Sequence, residues 1–183
     1  MIRITGGEWK GRKLRTPAGQ ATRPTPSRVR EALFDVLGPA VRACAFYDLF
    51  AGSGAVGIEA LSRGAPHVTF VESARPALAS LRANLDDLPC GSATDILVHR
   101  LPQWLQSAAF QPKPPFILFL DPPYREGIAE DTMETLATLD LDTTDSQCIV
   151  QAEKRLTLAD TYGPWTLRKR YRHGDTAMWA YEG

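Results

Sequence analysis

Cysteine is scarce in this chain of 183 residues, and nothing in it spells a metal site. Cys44, Cys90 and Cys148 are odd in number, far apart and without a Cys-x-x-Cys pair. That excludes a disulfide framework and leaves three reduced, small apolar side chains. His67, His99 and His173 share no ligand spacing with each other or with the cysteines, so no metal is expected. No apolar run approaches the roughly 18 residues of a membrane span, and the N-terminus lacks a signal peptide's apolar stretch. The expectation is a cytoplasmic protein. Net charge is also missing, because 21 Lys and Arg balance 21 Asp and Glu. There is no internal repeat and no low-complexity segment.

What is present is enough apolar content (44%) for one compact domain with a substantial core. The charge is unevenly spread. Residues 1–30 hold eight cations against Glu8 alone, a net of +7, whereas residues 126–160 hold nine acids against Lys154 and Arg155. A basic first segment on a neutral protein suits a polyanion, and it equally suits an ordinary solvated surface.

Residues 2–14 alternate weakly and break at Gly6-Gly7, which predicts two short strands around a turn that presents cations and Trp9. A connection rich in glycine and proline follows. A helix should then start at Pro26 with Thr25 as its N-cap, and carry Val29, Leu33, Val36 and Leu37 on one face. Strands are expected at 45–49, 68–71, 96–98, 116–120 and 148–150, with helices between them. An antiparallel pair at 165–171 and 176–181 closes the chain. Strands alternating with helices imply a mostly parallel sheet with right-handed crossovers.

Two motifs fall at the carboxyl ends of these strands, where open parallel sheets bind ligands. The first runs from Asp48 to Gly57: a strand, a turn at Gly52-Ser53-Gly54, then a helix whose free N–H groups can hold an anion. Gly52-x-Gly54-x-x-Gly57 also satisfies the dinucleotide fingerprint, with Glu72 about 20 residues on. The spelling alone leaves NAD and S-adenosylmethionine both open. The second motif, Asp121-Pro122-Pro123-Tyr124, decides the class. Two prolines fix the backbone beyond an apolar strand, so the Pro122 carbonyl stands free beside a carboxylate. Those two acceptors match the two hydrogens of an exocyclic amine, and Tyr124 offers a face for the ring that carries it. Holding both N–H bonds aims the amine lone pair at an electrophilic methyl.

On these residues the chain resembles a class I S-adenosylmethionine-dependent methyltransferase, and within that superfamily the RsmD type, which methylates a guanine N2 amine in 16S ribosomal RNA. The specific segments are Arg3 to Leu14 and Thr22-Arg23-Pro24-Thr25 with Arg28 to Phe34; Glu59 to Gly64 and Val71-Glu72 extend the likeness. The resemblance implies an α/β, Rossmann-like fold: a mostly parallel seven-stranded sheet with an antiparallel closing strand, plus a small N-terminal hairpin and helix. Residues 1–40 would form that RNA-binding extension, packed on a methyltransferase domain of residues 41–183. Asp48, Phe50, Ala51, Gly52, Ser53, Gly54 and Gly57 would hold the methionine part of S-adenosylmethionine. Glu72 would hold the ribose hydroxyls, with Ser73 and Leu101 also on the cofactor. Asp121, Pro122, Pro123 and Tyr124 would hold the flipped guanine. Arg3, Lys10, Arg12, Lys13, Arg23, Arg28 and Arg30 would contact phosphates. The partner implied is 16S rRNA in an assembling or assembled small subunit, met by a monomer.

Four departures from the family pattern stand out: Ser27 and Asp35 in the basic helix, His99-Arg100-Leu101 where an adenine ligand is common, Ser73-Ala74-Arg75 after Glu72, and Gln151 where Glu is frequent. Competing readings keep the chemistry on an adenine or cytosine amine or a protein glutamine, or keep the fold as a non-catalytic RNA-binding factor. A dehydrogenase rests on the glycine spacing alone.

Overall fold

Phe116–Leu120, five consecutive apolar residues, forms the strand at the centre of the sheet in the computed structural model, which describes residues 2–17, 25–123 and 127–183. All five are buried, because helices cover both faces of this strand. In chain order the elements are β1 (Ile2–Arg3), β2 (Lys13–Leu14), α1 (Ser27–Leu37), β3 (Ala45–Leu49), α2 (Ala55–Ser62), β4 (Val68–Val71) and α3 (Arg75–Asp86). There follow β5 (Thr94–Leu97), β6 (Phe116–Leu120), α4 (Ile128–Ala137), β7 (Gln147–Glu153), β8 (Thr161–Tyr162), β9 (Trp165–His173) and β10 (Thr176–Glu182).

The main sheet has the order β5-β4-β3-β6-β7-β10-β9-β8. The first five strands are parallel; β10 runs antiparallel to both β7 and β9. β8, a two-residue edge strand paired with β9, raises the expected seven strands to eight among the described residues. It is too short to leave a periodic signal in the sequence. The strand order reverses between β3 and β6, which pair with Leu49 opposite Leu120. A crevice therefore opens at the carboxyl ends of those two strands.

One face of the sheet packs Phe46, Phe119 and Ile149 against α1, α2 and α3, and Ile2, Ile4, Trp9 and Leu14 of the N-terminal hairpin join that same cluster. The other face buries Leu118, Val150 and Trp179 under α4 and Trp165. Trp9, expected on the surface, is 7% exposed. The turn from Gly6 to Trp9 is laid over the end of α2: Glu8 N–H donates to the Ser62 carbonyl (2.7 Å), and Ser62 Oγ donates to the Gly6 carbonyl (2.7 Å). A side chain at Gly7 would put its Cβ 1.9 Å from the Ser62 carbonyl oxygen, so only glycine permits this approach. With the turn pinned there, the indole is driven into the core.

Candidate active site

Asp48 and Asp121 stand on neighbouring strands at the crevice, Asp48 within the end of β3 and Asp121 directly after β6. Asp48 is 1% exposed, and its Oδ2 accepts the Gly57 N–H of α2 at 2.8 Å. Burial raises its carboxyl from 3.8 to about 7; the Gly57 bond opposes the rise, and the charges of Asp121 and Glu72 add to it. Asp121 is raised from 3.8 to about 6, again by burial, with donation from Thr25 and Gln151 acting the other way. Asp48 is thus raised by its burial first and by its two acidic neighbours second.

Phe50 follows β3 with a left-handed backbone (φ 72), which turns the chain sharply into the glycine loop. The loop's glycines serve different ends. A Cβ on Gly54 would meet Leu81 Cδ1 at 2.4 Å and one on Gly57 would meet Phe70 Cε1 at 2.3 Å, so both are small to let α2 pack on α3 and β4. A Cβ on Gly52 meets nothing within 4 Å, and this is the glycine that faces open space. Ala51 and Ser53 beside it are buried. Glu72, directly after β4, reaches across to the same turn: its Oε2 accepts the Gly52 N–H (2.8 Å) and its Oε1 those of Ser73 and Ala74 (both 2.7 Å). Leu101 is half-buried and joins Phe50, Leu97 and Trp104 against the cluster that holds Leu49 and Val71. His99 stacks on Trp104, with centroids 5.2 Å apart.

Pro122 is buried and Pro123 exposed; Tyr124 lies outside the described residues. Thr25, expected to cap α1, does something else. The helix has Pro26 at its N-cap and no side-chain cap, and the Thr25 hydroxyl instead donates to Asp121 Oδ2 at 2.8 Å. Gln151 of β7 donates from Nε2 to that hydroxyl at 3.3 Å. Beside this chain a cleft of about 870 Å³ opens between the start of α1, the end of β7 and the β9–β10 turn, with Arg28, Arg155 and His173 on its walls.

The basic residues divide. Arg3, Lys10, Arg12, Lys13 and Arg28 are exposed, and Arg23 lies outside the described residues. Arg30, expected on phosphate, is a correction: it is 1% exposed and its guanidinium is spent internally. Nε donates to Glu59 Oε2 (3.1 Å), Nη1 to the Thr25 carbonyl and Nη2 to the Arg3 carbonyl (both 2.6 Å). Glu59, fully buried in α2, also takes Arg63 Nη2 (2.8 Å) and both the N–H and the hydroxyl of Thr5. A buried charge needs such a partner, and the pattern of cations along the chain does not reveal which one is inside.

The model of the conserved hypothetical protein 95 family matches residues 2–182. The chain belongs to this family. Among its relatives, ribosomal RNA small subunit methyltransferase D of Escherichia coli K12 is 36% identical over 181 residues, 99% of this chain and 89% of that protein. YlbH of Bacillus subtilis is 31% identical over 181 residues, covering 99% and 98%. The solved structure of yhhF from Escherichia coli superposes with a TM-score of 0.83 at 34% identity, covering 99% of this chain and 97% of that one. The Thermus thermophilus protein TTHA0928 gives 0.80 at 29%, covering all of both chains. The family fold is that of the class I methyltransferases. Within it, what sequence reasoning missed is the role of Thr25 and Gln151, whose contacts with Asp121 span 96 and 30 positions, and the pairing of Arg30 with Glu59.

Proposed function

We propose that this chain transfers a methyl group from S-adenosylmethionine to the exocyclic N2 amine of a guanosine in 16S ribosomal RNA, acting as a cytoplasmic monomer on an assembling or assembled small subunit. The observation that carries the reading is the pairing of Asp121, followed by two prolines, with an open glycine turn on the adjacent strand. Ribosomal RNA methylation is what the name of the Escherichia coli relative states. Among the described residues no helix is long and apolar enough to cross a membrane.

The residues fit the cofactor. Open space over Gly52, with Glu72 against the same turn, leaves room for a ligand at the loop. Asp48, Phe50, Ala51, Ser53, Gly54 and Gly57 would shape that loop, and Glu72, Ser73 and Leu101 its ribose and adenine side. Three backbone donors already fix the Glu72 carboxylate, so it would meet a ribose in one orientation. When bound, S-adenosylmethionine would supply an electrophilic methyl, its S–C bond breaking to the thioether as the N–C bond forms and the amine proton passing to solvent.

The protein's part is to hold and orient. The Asp121 carboxylate and the Pro122 carbonyl would accept from the two amine hydrogens, with Pro123 stiffening the turn and Tyr124 against the base. That arrangement opposes delocalisation of the lone pair into the ring. Residues 1–40 would serve as the RNA-facing extension. Its cations Arg3, Lys10, Arg12, Lys13, Arg23 and Arg28 would neutralise phosphates, while Arg30 holds the extension together.

The test is transfer of labelled methyl to small subunits that lack the modification, with naked rRNA and duplex DNA alongside, followed by nucleoside analysis. Label in N2-methylguanosine is expected. Label in methyladenosine or methylcytidine would move the target to another base. Cofactor binding without any transfer would leave an RNA-binding factor.

A further inference from the structure

The Thr25 hydroxyl sits between two groups of fixed polarity. A glutamine Nε2 can only donate, so at 3.3 Å the Thr25 oxygen is an acceptor from Gln151, and its single proton is left for Asp121 Oδ2 at 2.8 Å. An ionised Asp121 can only accept, so in that state the Thr25 proton goes to Asp121 Oδ2. Thr25 and Gln151 are 8% and 2% exposed, so water does not compete for these bonds. The backbone of Thr25 is held as firmly, because Arg30 Nη1 donates to its carbonyl at 2.6 Å while Nε is paired with Glu59 in α2. The Asp121 carboxylate is thus fixed from Thr25, ahead of α1, as well as from Gln151 of the sheet.

We propose that Thr25 is a positioning residue for methyl transfer: oriented by Gln151 and anchored by Arg30, it fixes the Asp121 carboxylate as a hydrogen-bond acceptor, so that the N-terminal extension completes the catalytic site. A carboxylate with one oxygen bonded in this way is held in orientation and is favoured in its ionised form. Both properties are what an acceptor for an amine N–H requires. The proposal rests on the reading of Asp121 given above, and it adds a second duty to a segment otherwise assigned to phosphate contact.

The charged and titratable groups about Asp121 are Asp48 at the end of β3 and Glu72 after β4. Across the cleft stand Arg28 of α1, Glu153, Lys154 and Arg155 at and after β7, and His173 and Asp175 of the closing hairpin. None of them donates to Asp121 Oδ2 in place of Thr25 among the described hydrogen bonds. Removing the hydroxyl withdraws a donor from the ionised carboxylate, so the Asp121 carboxyl, already near 6, should rise further.

The experiment compares the intact protein with Thr25→Val, Thr25→Ser and Asp121→Ala, measuring kcat against pH on unmodified small subunits and cofactor affinity by calorimetry. Thr25→Val should lower kcat about tenfold or more and move the acid limb up by about one pH unit, the effect of one hydrogen bond to a charge. Cofactor affinity and KM for the subunit should stay within about twofold, and Thr25→Ser should restore both rate and profile. If Thr25→Val fails to fold, Thr25→Ala removes the same hydroxyl with less bulk and should shift the limb in the same direction, whereas Gln151→Leu also withdraws a direct donor from Asp121. A loss of kcat with no shift of the limb, or wild-type behaviour of Thr25→Val beside an inactive Asp121→Ala, would overturn the positioning role alone. Full activity of Asp121→Ala would overturn the reading of Asp121 itself.

Discussion

Arg30 and Glu59 form a buried ion pair, Nε to Oε2 at 3.1 Å, with the two side chains 1% and 0% exposed. The pair joins α1 to α2, and through Thr5, Arg3 and Thr25 it ties the N-terminal hairpin and the start of α1 to α2. Removing one member strands the other charge in the core. Glu59→Ala should destabilise the fold by about 3–5 kcal/mol, read as a fall in the denaturation midpoint at unchanged m-value. A change within about 0.5 kcal/mol would mean that the network is dispensable.

Asp48 makes stability depend on pH in an unusual direction. Its carboxyl rises from 3.8 to about 7 on folding, so between those values the folded chain holds a proton that the unfolded chain has lost. The unfolded state then binds fewer protons, and stability from this group is present below about pH 4 and declines as pH rises to 7. Asp48→Asn removes that titration and keeps an oxygen for the Gly57 N–H. The variant should gain on the wild type as pH rises from 4 to 7 and hold a constant lead above it. Parallel melting curves across that range would show that Asp48 does not titrate there.

The same crowding of acids bears on the cofactor. S-adenosylmethionine carries one positive charge more than S-adenosylhomocysteine, and charge entering a crevice beside Asp48 and Asp121, both raised by burial, favours their ionised forms. S-adenosylmethionine should therefore bind more tightly as pH rises from 5 to 8, with a steeper pH dependence than S-adenosylhomocysteine. Calorimetric titration of both across that range decides the point, since equal slopes would place the sulfonium away from these carboxylates.

Gly57 is needed for packing before any ligand arrives. An added Cβ lies 2.3 Å from Phe70 Cε1 and 2.9 Å from Val68 Cγ1, both on β4. Gly57→Ala should cost about 1–3 kcal/mol of stability in the cofactor-free protein. Thermal unfolding without ligand measures it, and an unchanged midpoint would mean that α2 shifts at no cost.

Much of this architecture was legible because it is local. Five apolar residues at 116–120 name a central strand; glycines after Asp48 name a turn; two prolines after Asp121 fix a backbone. The failures share a cause, which is that partners distant in sequence decide them. Thr25 before Pro26 has the spelling of an N-cap, and nothing in that spelling tells a helix N–H from a carboxylate 96 residues away. Arg28 and Arg30 look alike in the chain, two positions apart on a helix, yet one faces solvent and the other faces Glu59. Trp9 reads as exposed until the turn before it is seen to be pinned on Ser62.

That difference between cations yields a separable prediction for RNA. Lys13 is exposed and makes no ion pair among the described residues, and Arg12 has only a 3.5 Å contact to the Asp87 carbonyl, so little is lost when either is removed. Arg12→Ala with Lys13→Ala should leave thermal stability within about 0.5 kcal/mol. It should weaken subunit or rRNA binding and lower the log–log salt slope by about one for each lost phosphate contact. Arg30→Ala should do the reverse, lowering stability sharply because Glu59 loses a buried partner, with no change in slope once the folded fraction is held equal. Binding measured across a series of salt concentrations, beside melting curves for both variants, separates the two roles. An unchanged slope in the double variant would make Arg12 and Lys13 ordinary surface, whereas a reduced slope for Arg30→Ala would return that residue to the RNA.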